Sequence, residues 1–302
     1  MIEVTSHVIT RGRIPEQIVP GKRLGRHYLH DSRSLAYLVP ELPQAALSAV
    51  LWTRNIPILD QGQVGSCTTN AGVGCLGTDP LYGALPPGSG ADGKPLLDEP
   101  LAVNMYSEEE QDLDGSPFPP TDDGGDGTTT CKIMVRRKFS GGFLHCTSIA
   151  SMQSALQKGP LMIGINWYDS MDSPSSSGLI TISPGAQVRG GHELELRGVD
   201  PAAFLFKGDN SWSEGWGDHG SFEIAFATMD RLLSEQGDCT QPLPASAPKP
   251  TPTPVPPSPV PGDLDYGYGH DPELLDWARR NHIGENAYAA HAYTSWRASK
   301  GY

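Results

Sequence analysis

Residues 242–261, PLPASAPKPTPTPVPPSPVP, hold ten prolines in twenty positions. Proline fixes φ and has no backbone N–H, so this run sustains neither a helix nor a sheet ladder. It is expected as extended polyproline II, a semi-rigid spacer about 60 Å long at ~3.1 Å per residue. The run divides the 302-residue chain into an N-terminal arm over 1–32, a globular domain over 33–241, a linker over 242–262 and a C-terminal segment over 263–302.

The C-terminal segment carries helix signals. In HDPELLDWARRNH, Asp271 is placed as an N-cap with Pro272 at the first helical position. Leu274, Leu275 and Ala278 form an apolar stripe, and Gly284 separates a second helix marked by Tyr288, Ala292 and Trp296. About forty residues bury too little to fold unaided. The segment is therefore expected to dock on a protein partner, a copy of itself or the main domain.

Composition narrows the function classes. The formal charge of −13 argues against a nucleic-acid partner. No apolar run approaches the ~18 residues of a transmembrane helix, so no membrane partner is expected. MIEVTSHVITRGR lacks the apolar stretch of a signal peptide, which predicts synthesis in a cytoplasm, with release by lysis or inside a particle such as a virion. The five cysteines are odd in number and contain no CxxC pair, so no disulfide framework is expected. His145–Cys146 has no second ligand pair nearby, and DDGGDG at 122–127 lacks calcium-loop spacing. Neither a metal nor a cofactor is expected.

The globular region has two textures. CTTNAGVGCLGTD, EPLAVNMYSEEEQ and TSIASMQSALQKGP read as helices; in the last, Ile149, Met152 and Leu156 follow the helical period and Gly159-Pro160 stops it. LMIGINWY, GLITIS, HELELRGV, AAFLFKGD and GSFEIAFA read as strands. Residues 86–95 and 115–130 read as long loops. Helices first and strands later predict an α+β fold of two lobes, with chemistry in the cleft between them.

ILDQGQVGSCTTNA, residues 58–71, places Ser66 as a helix N-cap and Cys67 in the first turn. There the free N–H groups and the helix dipole lower a thiol's pKa. A thiolate nucleophile needs a base, and the base needs an orienting partner. RGGHELELRGVD supplies His192, and FKGDNSWSEGWGDHGSFEI supplies Asn210.

Together, Gln61-Gly62-x-x-Gly65-Ser66-Cys67, Gly191-His192 and Asn210-Ser211-Trp212-x-x-Gly215-Trp216-Gly217 resemble the motifs of papain-like cysteine peptidases, in that family's chain order. The resemblance covers roughly Arg33 to Gln241. It implies a helical lobe packed on an antiparallel β lobe. It also implies Cys67 as nucleophile, His192 as base, Asn210 as orienter and Gln61 as an oxyanion donor beside the Cys67 N–H. Trp212 is implied as a shield over the Asn–His bond, and Glu193 as a residue lining a substrate side-chain pocket, where a carboxylate favours a basic or polar side chain. The departures are Thr68 for the usual Trp, Val64 for a common half-cystine and Ser213 for a frequent Gly. The usual disulfides and long propeptide are also missing from the pattern.

The expected function is a thiol endopeptidase acting on a protein or peptide through an acyl-enzyme intermediate. Two other readings stand beside it: a papain-fold structural or binding component of an assembly such as a phage particle, and a Cys–His hydrolase of peptidoglycan. Residues 7–40 are irregular and remain open among a surface arm, a short autoinhibitory plug and an interaction segment.

Overall fold

The computed structural model describes residues 8–253. Two hydrophobic cores lie in one compact unit that closes at Pro252. The first core belongs to a helical lobe made of α1 (Cys67–Leu76), α2 (Glu99–Asp114) and α3 (Gly127–Arg136). Asp98 caps α2 by accepting the Leu101 N–H, and Asp126 caps α3 by accepting the Thr129 N–H. Val73, Leu76, Met105, Ile133 and Met134 pack between these helices and are fully buried.

The second core belongs to the sheet. After β1 (Ile9–Arg13), β2 (His27–Asp31) and β3 (Val50–Leu51) come β4 (Phe143–Cys146), β5 (Leu161–Tyr168), β6 (Val188–Asp200), β7 (Leu205–Asp209), β8 (Ser221–Ala225) and β9 (Asp238–Pro242). The strand order is β4-β9-β5-β6-β7-β8, with β3 paired to β6, and every ladder is antiparallel. β6 is the long central strand. Its register sets Gly164 opposite Glu193 and Ile165 opposite His192.

The α+β class and the two lobes are as the sequence predicts, but several elements differ. α4 (Ile149–Leu156), closed at its start by a Ser148–Ser151 capping box, packs in the sheet core rather than with the other helices. GLITIS forms no ladder; it touches the sheet at a single bridge between Leu179 and Glu223. The strand in GSFEIAFA stops at Ala225 and continues directly as α5 (Phe226–Ser234). The loop over 115–130 gives way to α3 at Gly127.

The ends of the domain also differ from the sequence reading. β1 and β2 pair from Ile9↔Asp31 to Arg13↔His27, which turns residues 14–26 into one long loop that enters the cleft. The first part of the proline-rich run packs on the domain. The Leu243 N–H donates to Gly142 O at 2.9 Å, and the Gly141 N–H donates to Pro244 O at 3.2 Å. The rest of the linker and the helix signals around Asp271, Pro272 and Trp296 lie outside the described residues. Among the described residues no helix is long and apolar enough to cross a membrane.

Candidate active site

α1 begins at Cys67, so its thiol stands on the first helical residue and its N–H has no partner within the helix. Ser66 precedes it as the capping residue, although its side chain makes no capping bond. Across the cleft, β6 carries His192 and the β7–β8 turn carries Asn210. His192 Nε2 lies 2.7 Å from Asn210 Oδ1, and the same oxygen accepts the Ser211 N–H at 2.8 Å. The Ser211 N–H identifies that atom as the carbonyl oxygen, an acceptor, so Nε2 carries the imidazole proton. Nδ1 is then the bare nitrogen, and it is buried with no hydrogen-bond partner.

The imidazole is held in an indole cage. Trp212 stacks on it with centroids 4.9 Å apart at 28°, and Trp167 meets it edge-on at 4.9 Å and 75°. The two indoles also meet each other at 5.2 Å. Such a cage keeps water off the His–Asn bond and strengthens it. Trp167 lies as close to His192 as Trp212 does, yet in the sequence it is one apolar residue of the strand LMIGINWY, with no motif to mark it.

Gln61 is also fixed in place. Its Oε1 accepts the Ser211 hydroxyl at 2.6 Å and its Nε2 donates to Val64 O at 2.9 Å, which leaves one amide N–H unused. Ser213 adopts φ +63°, in the left-handed region that favours glycine. The structure thus supplies a reason for the glycine that the resemblance expects there.

Cys67 and His192 are both 0% exposed. Burial pushes the Cys67 thiol well above its ordinary range, against a hydrogen bond from the Glu193 backbone. It also pushes His192 down to about 3, with the Asn210 bond opposing and Arg189 adding to the shift. The expected lowering of the thiol pKa is therefore reversed in this state: desolvation outweighs the helix terminus, and the pair is a neutral thiol and a neutral imidazole.

The cover is the loop over 14–26, exposed along much of its first part and buried at its end. Leu24 and Arg26 are fully buried. The N–H groups of Gly25 and Arg26 both donate to Gly191 O, at 3.2 and 3.0 Å, one residue before the imidazole. Gly125 N–H donates to Gly25 O at 2.9 Å, and His27 N–H donates to Gly125 O at 2.6 Å. Trp212 Nε1 donates to Arg23 O at 3.1 Å. The Arg189 guanidinium donates to Gln17 O and Lys22 O, at 2.8 and 2.6 Å. Gly25 and Gly124 both have positive φ; a Cβ on Gly25 would collide with the backbone of Gly65, and a Cβ on Gly124 with the backbone of Gly25. Only glycine lets loop and body approach this closely.

Glu193 is turned inward and is 1% exposed. Neither of its carboxylate oxygens has a hydrogen-bond partner. Burial, reinforced by Asp238, raises its pKa, while Arg26 opposes the shift. Arg26 Nη2 donates to Asp238 Oδ2 and to Gln236 O, each at 2.6 Å. Sequence reasoning singled out Glu193 but found neither Asp238, at the start of β9, nor Arg26. Among the described residues one carboxylate triplet, Glu110, Asp114 and Asp123, is spaced as metal ligands are. Arg13 already pairs with Asp123 at 2.8 Å and with Asp114 at 3.4 Å.

Among solved structures the chain is similar to xylellain, a cysteine protease from Xylella fastidiosa. That likeness has a TM-score of 0.57 at 17% identity and covers 76% of this chain and 99% of that one. It is also similar to digestive procathepsin L 3 of Tenebrio molitor larval midgut, with a TM-score of 0.50 at 16% identity over 74% of this chain and 76% of that one. The fold is that of the papain-like cysteine proteases. No protein-family model matches the chain, and no curated protein matches it significantly.

Proposed function

We propose that the chain is a thiol endopeptidase in which Cys67, His192, Asn210 and Gln61 act as one unit. The observation that carries this is the orientation of His192. Asn210 holds its Nε2–H, which leaves a bare Nδ1 in the same sealed cleft as a thiol at a helix start. With the loop over 14–26 withdrawn and water admitted, Nδ1 takes the thiol proton. The thiolate then attacks the peptide carbonyl carbon. The resulting oxyanion is met by the Cys67 N–H and the unused N–H of Gln61. His192 returns its proton to the leaving amine, and a thioester remains on Cys67. Water, deprotonated by Nδ1, cleaves the thioester and restores the thiol. While the loop is in place the sulfur and Nδ1 meet no substrate, so turnover by the full chain runs through the fraction of molecules in which the loop has opened.

The test is incubation of the full chain with a general protein substrate and with purified cell wall, with and without a thiol alkylator. Alkylator-sensitive cleavage of protein is expected. Cys67→Ser and His192→Ala should abolish it with an unchanged circular dichroism spectrum, because nucleophile and base act together. Gln61→Ala should lower kcat about a hundredfold, since one oxyanion donor remains. Full activity in Cys67→Ser would overturn the reading. Cleavage of cell wall alone would make the protein a peptidoglycan hydrolase. Turnover of neither, with Cys67 labelled by an epoxide thiol reagent, would make it a structural component.

A further inference from the structure

We propose that Asn70 is a positioning residue for His192: through one buried water it fixes the side-chain amide of Asn210, and with it the direction of the imidazole. This rests on the peptidase reading and adds to that site a residue from the nucleophile's own helix. Asn70 stands three residues after Cys67 on α1. Its Nδ2 donates to Ser66 O at 3.1 Å, to Ser66 Oγ at 3.0 Å and to Glu99 Oε1 at 3.1 Å. The Ser66 carbonyl only accepts, which identifies that atom as the amide nitrogen. The amide oxygen, Asn70 Oδ1, therefore faces the other way. It is buried with no hydrogen-bond partner, and so is Asn210 Nδ2.

The two amides are complementary, since one lacks a donor and the other an acceptor. Both line one small cavity between α1 and the sheet, with Leu59 and Ala71 as apolar wall and room for about one water. A water there accepts from Asn210 Nδ2 and donates to Asn70 Oδ1. The carboxyls of Glu193 and Glu195 line the same space and offer an acceptor for its second hydrogen. Buried polar groups are paired in this way because leaving them unpaired is costly. The link bears on the chemistry through the amide's orientation. The Ser211 N–H holds the oxygen end of Asn210, and the water holds the nitrogen end. A flipped amide would present Nδ2 to His192 Nε2, which would then accept, and the ring proton would move to Nδ1. An imidazole in that form cannot take the thiol proton. Asn70 is also bonded to Ser66, the residue before Cys67, so one side chain sets the nucleophile and the base in register across the cleft.

Two readouts on the full chain test the proposal. The first needs no variant: a water–amide Overhauser measurement on the 15N-labelled native protein should find a long-lived water at the Asn210 side-chain amide. The second is a double-mutant cycle read in peptide cleavage. Asn70→Leu keeps the shape of asparagine without its acceptor, and Asn70→Ala replaces it if the leucine protein does not fold. The single variant should lower kcat at least tenfold with KM within twofold of the native value. In an Asn210→Ala background the same change should alter kcat less than twofold, because the amide it acts through is gone. A native chain without that water, an unchanged kcat, or a loss that multiplies with that of Asn210→Ala would overturn the proposal and leave Asn70 as a brace for Ser66 and Glu99 alone. The water without any cleavage by the native chain would keep the link between the two amides and overturn the peptidase reading. Cleavage without the water would do the reverse.

Discussion

Two glutamates two residues apart on β6 share a face and a degree of burial, yet they are neutralised in different ways. Glu195 is 1% exposed and pairs with Arg54, a residue of the body, which also reaches Asp209 at 3.4 Å. Thr78 Oγ1 donates to the same carboxylate. Burial still raises its pKa to about 7, with Arg54 pulling against the rise. Glu193 is equally buried but has no hydrogen bond, and its facing cation comes from the loop over 14–26. A charge pair built within the body is permanent. One completed by the loop is conditional on the loop withdrawing as proposed, and that pair is the one beside Cys67 and His192.

That contrast predicts unequal costs of removing the two arginines. Arg54→Ala leaves Glu195 buried without its cation, while Asp209 keeps Arg197 at 2.7 Å, and should destabilise the fold by about 3–5 kcal/mol. An unfolding free energy from urea titration lowered by less than a third of that would show that the body relaxes around Glu195, and the two sites would cease to differ. Arg26→Ala should cost less, under about 2 kcal/mol, because the loop can open and let water reach Glu193. Labelling of Cys67 by an epoxide thiol reagent should rise at least tenfold in the same variant. Equal midpoints for the two variants would make Arg26 as structural as Arg54.

The difference was only half legible in the sequence. The α+β class follows from helix periods before Gly159 and strand alternation after it, and the fold has that form. Cys67, His192, Asn210, Gln61 and Trp212 stand out because each sits in a short motif with fixed neighbours. Arg26 sits in an irregular arm, where a basic residue has no period to mark it as buried. Asp238 is also invisible locally; it meets Arg26 from 212 positions away. GLITIS alternates as a strand does, but its neighbours offer it a single bridge in place of a ladder. α5 escaped notice because β8 runs into it at Ala225 with no side-chain cap to announce a helix. Alternation also left the direction of Glu193 open, since a strand between two packed layers has no solvent face.

A smaller effect separates the loop from the body through histidine. His27 begins β2 at the loop's end: its Nε2 meets Asp123 O at 2.7 Å, and Arg11 Nη2 donates to its Nδ1 at 3.2 Å. Burial, with Arg11 and Arg13 adding to it and the Asp123 carbonyl and Asp114 opposing, lowers its pKa to about 4. His145 on β4 is also lowered to about 4 by burial, against Asp238 and Asp31 and with Lys132 assisting. Both pKa values lie below the ordinary 6.5, so the less folded state binds more protons between about pH 6.5 and 4. Stability is therefore full above pH 6.5 and falls as pH drops, by up to ~1.4 kcal/mol per pH unit for each histidine. His145 is released only by unfolding of the body. His27 and His192 are also released when the loop opens. Hydrogen exchange of the Gly25 and Arg26 amides, corrected for the intrinsic effect of pH, reads that opening directly. From pH 6 to 5 His27 and His192 each favour opening up to tenfold, while Glu193, whose burial-raised pKa falls back when water reaches it, opposes opening up to tenfold. The opening constant should rise up to tenfold in the native chain and stay level in His27→Gln, which lacks one of the two histidine protons. The same slope in His27→Gln as in the native chain would place His27 with the body, as His145 is, and set the boundary between conditional and permanent structure at Arg26, the last residue of the loop.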